Sequence, residues 1–175
     1  MKLPVRLLAL LFLFTDYAAY AKSADNDAPV HIEADQVEMR ERENISIYRG
    51  HVKITKGSIK ITGTEITIKN KNGNLHHIKI SGEPATFYQL NDLDEEISAE
   101  SNQMDYMADN GMLELKENAL LVKNQNRFSS PHIIYDTQKD IVKAGNHNAP
   151  EPGETPRVNI TIHPEKNNKP TETQP

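Results

Sequence analysis

Between residues 45 and 68 the chain reads ISIYRGHVKITKGSIKITGTEITI. Apolar residues fall in pairs spaced by two: Ile45 and Ile47, Val52 and Ile54, Ile59 and Ile61, Ile66 and Ile68. Ser, Lys, Thr, His and Glu sit between them. A period of two places the apolar members of a pair on one face of an extended strand and the polar ones on the other. A helix would need apolar partners at three and four residues together, and these are missing. Arg49-Gly50, Lys56-Gly57 and Gly63-Thr64 separate the pairs. The stretch therefore reads as a run of short strands, each with one apolar face.

The rest of the chain repeats this pattern. Val30, Ile32 and Ala34 alternate with His31 and Glu33 as a first strand, continued irregularly by residues 36–39. Residues 40–44, REREN, form a charged hairpin tip. Asn72-Gly73 is a strong hairpin signal, and Asp109-Asn110-Gly111 supplies a second. Between and beyond these turns lie strands around Ile78 and Ile80, residues 82–88, 97–99, 104–106 and 112–122, Phe128, residues 133–135 and residues 141–144. Residues 108–122 do not read as a helix: Asn110-Gly111 interrupts them, and Leu113 and Leu115 alternate with Glu114 and Lys116.

The repeats have an order. An apolar-x-small-acidic unit occurs at Ile32-Glu33-Ala34-Asp35 and Ile97-Ser98-Ala99-Glu100, with degenerate forms at residues 61–65 and 128–132. Small turns follow near residues 50, 82, 117 and 145, roughly 30 residues apart, so about four hairpin units stack. One unit cannot bury its apolar face alone, but stacked units share one. Short alternating strands with turn signals every 8–12 residues or so indicate an all-β sandwich or roll without substantial helix.

Bulk properties exclude several functions. Residues 1–21 have a positive start at Lys2 and Arg6, an apolar run LLALLFLF at 7–14, and an Ala19-Tyr20-Ala21 cleavage signal. That run is far short of the roughly 20 residues that span a bilayer. A cleaved export signal is expected, with the mature chain starting at Lys22. The full chain carries 20 basic and 25 acidic residues; without Lys2, Arg6 and Asp16 it carries 18 and 24, a net charge of -6. An acidic chain of this kind is not built to neutralise a phosphate backbone, so no nucleic-acid partner is expected. With no cysteine there is neither a disulfide framework nor a thiolate site.

Catalytic and metal-binding patterns are also weak. The adjacent His76 and His77 point to opposite faces of a strand. The acidic loop of Asp92, Asp94, Glu95 and Glu96 lacks calcium-loop spacing and reads as solvated. No Gly-x-Ser-x-Gly elbow and no glycine-rich phosphate loop occur, so no catalytic residues, metal or cofactor are assigned. Lys69 and Lys71 flank a turn and read as a solvated face. Six of the ten prolines lie from Pro150 onward. Within that tail residues 157–163, containing RVNITI, look like a last strand after a loop at 145–156. Residues 22–29 and 164–175 read as disordered ends.

Specific segments resemble the LptA/OstA-like family of periplasmic lipopolysaccharide-transport bridge proteins. They are Ile32-Glu33-Ala34-Asp35, Tyr48-Arg49-Gly50-His51-Val52, Gly57-Ser58-Ile59-Lys60-Ile61, residues 82–89 (GEPATFYQ) and residues 101–106 (SNQMDY). The resemblance spans residues 30–162. It implies a twisted β-jellyroll of about 16 antiparallel strands, open along one side and at both ends, whose apolar inner face holds lipid A acyl chains. Strand parity and family position together give an inward, lipid-facing set: Val30, Ile32, Ile59, Ile61, Ile66, Ile68, Ile80, Phe87, Met104, Tyr106, Leu113, Leu115, Ile133 and Tyr135. The function implied is a non-enzymatic periplasmic carrier that passes lipopolysaccharide from an inner-membrane complex to an outer-membrane translocon.

The ends of the domain, residues 30–163, suggest how copies join. Val30, Ile32 and Ala34 on the first strand and Val158, Ile160 and Ile162 on the last lie at opposite ends of the sequence. Each would leave an unpaired edge open to strand addition. Head-to-tail self-association follows if both edges are free. The resemblance implies an LptC-like bitopic inner-membrane component at the N-terminal edge and an LptD-like outer-membrane translocon at the C-terminal edge. Two alternatives stay open: a related membrane-anchored component of the same pathway, and a structural β-scaffold that carries no lipid.

Overall fold

Each polar tip in the sequence reverses an antiparallel strand, and the strands that result are longer than the sequence pattern suggests. The computed structural model describes residues 28–91, 94–145 and 157–164. The expected export signal, most of the 145–156 loop and all but the first residue of the 164–175 tail lie outside them. The described elements are β1 (His31–Glu33), β2 (Gln36–Arg40), a 3₁₀ turn (Glu41–Glu43), β3 (Ile45–Lys56), β4 (Ile59–Lys71), β5 (Asn74–Leu90), β6 (Glu96–Met107), β7 (Met112–Lys123), β8 (Asn126–Asp136), β9 (Ile141–Ala144) and β10 (Asn159–Thr161). They form one ten-stranded antiparallel sheet in the order β1-β3-β4-β5-β6-β7-β8-β10, with β2 also on β3 and β9 also on β8. The first and last strands do not pair with each other, so the sheet stays open.

The pairs read as successive short strands are arms of single long ones. Register shifts fall between Arg49 and Val52 on β3, Thr62 and Glu65 on β4, Ser81 and Ala85 on β5, Glu100 and Gln103 on β6, and Lys116 and Ala119 on β7. These bulges line up as a seam across the sheet. Gly50, Gly63 and Gly82 lie in it, so they bend strands rather than end them. Sequence alone cannot separate the two roles, because glycine serves a bulge as well as a turn. The resemblance implied about 16 strands and the structure has ten; β3 to β8 run through the seam, and counting their two arms separately accounts for the difference.

Bulges decide which side chains share a face. Ile61 and Ile66 are an odd distance apart, which in a regular strand would put them on opposite faces. The extra residue at Gly63-Thr64 lets both face inward, and both are fully buried. On β3 the core-facing residues keep an even spacing across the seam. Tyr48 lies opposite Ile66 and Ser46 opposite Ile68, so these face the core. Ile45 and Ile47, which the inward set left out, therefore point outward. Ile47 is still buried there, opposite Glu38 and Thr67.

The seam is also a fold line. Tyr106 pairs with Ile78 at one end of β5, whereas Phe87 lies toward the other end, roughly 30 Å away along a straight strand. Yet the Phe87 and Tyr106 ring centroids are 6.4 Å apart. The sheet bends back until its two sets of arms meet, apolar face to apolar face. Residues 52–56, 59–62, 85–90, 96–100, 119–123 and 126–130 make the first set, joined by β1 and β10. Residues 45–49, 65–71, 74–81, 103–107, 112–116 and 132–136 make the second, joined by β2 and β9. This is the jellyroll, and one apolar cluster spans both sets.

Asp35, between β1 and β2, secures the N-terminal end of the seam. Its backbone N–H donates to the Arg49 carbonyl at 3.1 Å, and its Oδ2 accepts from the His51 N–H at 3.2 Å and lies 2.9 Å from His51 Nδ1. Gly50 has φ +96, and a Cβ there would overlap the Asp35 carboxylate. Gly50→Ala is therefore expected to cost about 1–3 kcal/mol in backbone strain alone. Urea unfolding checks this; an unchanged midpoint would contradict it.

Candidate functional site

An apolar face folded onto itself makes its interior the first candidate to host a function. Ile61, Ile66, Ile80, Phe87, Met104, Leu113, Leu115, Ile133 and Tyr135 of the inward set are buried in the cluster. Ile32, Ile59, Ile68 and Tyr106 are partly buried and pack against it, and Val30 is exposed just before β1. The inward set omitted Val52, Ile54, Ile78, Ala85, Ile97, Ala99, Ala119 and Leu121, which are equally part of the cluster. Their alternation was visible in the sequence. Ala85, Ala99 and Ala119 carried the weakest signal because alanine is not strongly apolar. Chemically, this wall is a hydrocarbon solvent. Its side chains are buried against one another, so an apolar guest takes the place of some of their contacts.

The wall continues to both edges of the sheet. Val37 lies opposite Tyr48 and Met39 opposite Ser46, so both are on the core face. Among the described residues no strand covers them on the other side, and they are 57% and 65% exposed. At the far edge Ile160 lies opposite Phe128 and is 54% exposed, while Ile162, beyond the strand, is 72% exposed. Val158 is half-buried near Gly145. Ala34 lies between β1 and β2 rather than in a strand, and the last strand is confined to Asn159–Thr161 instead of filling 157–163. Both edges therefore combine unpaired backbone with apolar side chains. That is the surface on which a further strand adds.

Polar groups gather where the turns of the two sets of arms meet. Lys123 ends β7 in the first set; Asp140 lies in the β8–β9 turn of the second. Met112, at the other end of β7, pairs with Asp136, so a straight β7 would hold Lys123 roughly 36 Å from that turn. Instead Lys123 Nζ is ion-paired with Asp140 and lies 3.8 Å from Glu95. The Tyr135 hydroxyl, from a fully buried ring, donates to Asp140 at 3.0 Å. Glu95 also accepts from Asn91 Nδ2 at 2.6 Å and from Asn124. Hydrogen bonding from Lys123 holds the Asp140 carboxyl below its ordinary range, and bonds from Asn91 and Asn124 do the same for Glu95. Burial and the Asp140 carboxylate push the Tyr135 hydroxyl upward. The acidic loop, expected to be merely solvated, thus contributes Glu95 to a structured cluster. Asp92 lies outside the described residues.

The remaining candidates sit on the outside. His76 meets Asp109 at 2.7 Å and His77 meets Asp105 at 2.9 Å, so the adjacent histidines serve separate carboxylates. His132 meets Glu114 at 2.7 Å. Among the described residues no cluster of His, Asp and Glu could hold a metal ion. Lys69 and Lys71 are exposed at the end of β4.

Known proteins with this geometry share one theme. Residues 31–141 match the family described as LptA/(LptD N-terminal domain) LPS transport protein. The chain is 31% identical over 151 residues to the lipopolysaccharide export system protein LptH of Pseudomonas aeruginosa, covering 85% of this chain and 86% of that one. It is 29% identical over 139 residues to the lipopolysaccharide export system protein LptA of Escherichia coli K12, covering 78% and 75%. The crystal structure of LptH, described as the LptA-homologous periplasmic component of the lipopolysaccharide transport device of P. aeruginosa, superposes with a TM-score of 0.70. It is 30% identical and covers 81% of this chain and 99% of that one.

The Asp140 and Glu95 shifts carry a pH consequence. A carboxyl held low in the folded state stabilises it above the unfolded value, near pH 4, and loses that contribution as the pH falls. The melting temperature should therefore drop as the pH is lowered from 6 toward 3. In Asp140→Asn that drop should be shallower, since one of the contributing carboxyls is gone. Thermal melts followed by circular dichroism check this; identical pH profiles would contradict it.

Proposed function

The chain belongs to the LptA/LptD N-terminal domain family of lipopolysaccharide transport proteins, and on that premise we propose that it is a non-enzymatic periplasmic carrier. It takes the acyl chains of lipopolysaccharide between the two sets of arms. One observation carries this reading: a single apolar wall runs the length of the fold and reaches uncovered strands at both edges. An acyl chain moving through water exposes every methylene at about 0.8 kcal/mol each. A wall open at both ends offers such a chain a continuous path.

The chain is made with a cleaved export signal over residues 1–21, as its charged start, short apolar run and Ala-x-Ala site suggest. Copies join head to tail, with Val30 and Ile32 beside β2 at one end and Ile160 and Ile162 at the other. The same edges dock an LptC-like inner-membrane component and an LptD-like translocon. Ala34 and Val158 shape these edges without extending them. Free strand edges with exposed Val37, Met39 and Ile160 support this arrangement.

A second reading has one observation in its favour. The described interior side chains form one buried apolar cluster, as a lipid-free β-scaffold also requires. Photo-crosslinking separates the two. A photoreactive residue at Phe87 or Tyr106 should form adducts with lipopolysaccharide, and one at Lys60 should not. Lys60 lies between Ile59 and Ile61 on the opposite face, with its Nζ 5.4 Å from the Tyr88 ring centroid. Absence of adducts at Phe87 and Tyr106, or equal labelling at Lys60, would favour the scaffold.

A further inference from the structure

An amphiphile whose chains lie between the arms must leave its headgroup at the lips, where the turns of the two sets of arms approach each other. For the headgroup to be held there, the lips need a cation close to the apolar interior. Lys123 is placed for this. Its side chain is 19% exposed, against 73% for Lys139 in the facing turn. Its partner Asp140 is hydrogen-bonded to Tyr135, whose ring lies within the core. The ammonium is thus one ion pair removed from the hydrocarbon wall. It is also shared across the lips, since Lys123 belongs to one set of arms and Asp140 to the turn of the other.

We propose that Lys123 is the headgroup contact of the transported amphiphile, and that a phosphate takes the place of Asp140 on it as the lips part. This rests on the carrier reading above. Parting the arms breaks the Lys123–Asp140 pair and leaves the ammonium with Glu95 alone. A phosphate monoester carries more charge than a carboxylate and offers three acceptor oxygens. It therefore restores what the lysine loses. Asp140 keeps the Tyr135 hydroxyl and gains water, so neither group is left buried and unpaired. Chain insertion and headgroup capture become one coupled event: a headgroup without phosphate leaves the pair unreplaced.

The experiment compares Lys123→Met, Asp140→Asn and the unaltered chain, using lipid A and lipid A stripped of its phosphates, both presented in the same detergent. Lys123→Met should weaken lipid A binding by about tenfold, the worth of one strong charge-assisted contact. It should leave the dephosphorylated lipid unaffected or bound more tightly, because the pair that resists opening is gone. Asp140→Asn should strengthen binding of both. Lipid-free melts report whether each variant is folded. Equal weakening of both lipids by Lys123→Met, or no change in either, overturns the proposal while leaving the carrier reading intact. Failure of the unaltered chain to bind either lipid ends both. Millimolar inorganic phosphate should not raise the melting temperature of the unaltered chain; a rise that Lys123→Met abolishes would mark a free-anion site and overturn the headgroup assignment.

Discussion

A sheet with one apolar face and, among the described residues, no helix to cover it leaves water by folding onto itself. Everything else in this molecule follows from that closure. Each of the strands β3 to β8 carries 11 to 17 residues, long enough to supply two arms once it is bent. The bulges supply the bend and also correct the parity, so that Ile61 and Ile66, or Ile80 and Ala85, remain on one side of the sheet. Where the spacing across the seam is odd, as on β4 and β5, a regular strand would turn the polar face of its second arm to the first.

Closure by side chains alone differs from closure by hydrogen bonds. In a sealed barrel every edge is paired, and opening it breaks a ladder. Here the two sets of arms meet through apolar contacts such as Phe87 against Tyr106, and through the ion pair of Lys123 with Asp140 at the lips. Apolar contacts are non-directional and exchange readily for contacts with another hydrocarbon. Separating the arms in water exposes the whole wall and is strongly unfavourable. Separating them around an acyl chain replaces one set of methylene contacts by another. The open edges extend the same logic, because Val37, Met39 and Ile160 lie on the core face with nothing yet covering them.

Much of this was legible in the residues. Alternation identified the strands, the Asn-Gly turns located their reversals, and most of the inward set lies in the cluster. What alternation could not settle was continuity. Gly50, Gly63 and Gly82 look alike whether a strand ends or merely bends, so the long strands β3 to β8 were read as many short ones. Which way Ile45 and Ile47 point, a question the inward set left aside, is settled by the register of Ser46 and Tyr48 against Ile68 and Ile66, which turns the two isoleucines outward. The lip cluster was invisible for another reason. Glu95, Lys123, Tyr135 and Asp140 come from separate turns and strands, and only folding along the seam unites them.

The most direct test is a distance measured across the lips. Spin labels at Gln125 and Gln138, in turns carried by opposite sets of arms, report it by pulsed electron resonance. Without lipid the distribution should be narrow and short, as the neighbouring Lys123–Asp140 contact requires. Adding lipopolysaccharide should shift it to longer distances. Lipopolysaccharide that binds stoichiometrically while the distribution stays unchanged would contradict an interior that opens to receive it.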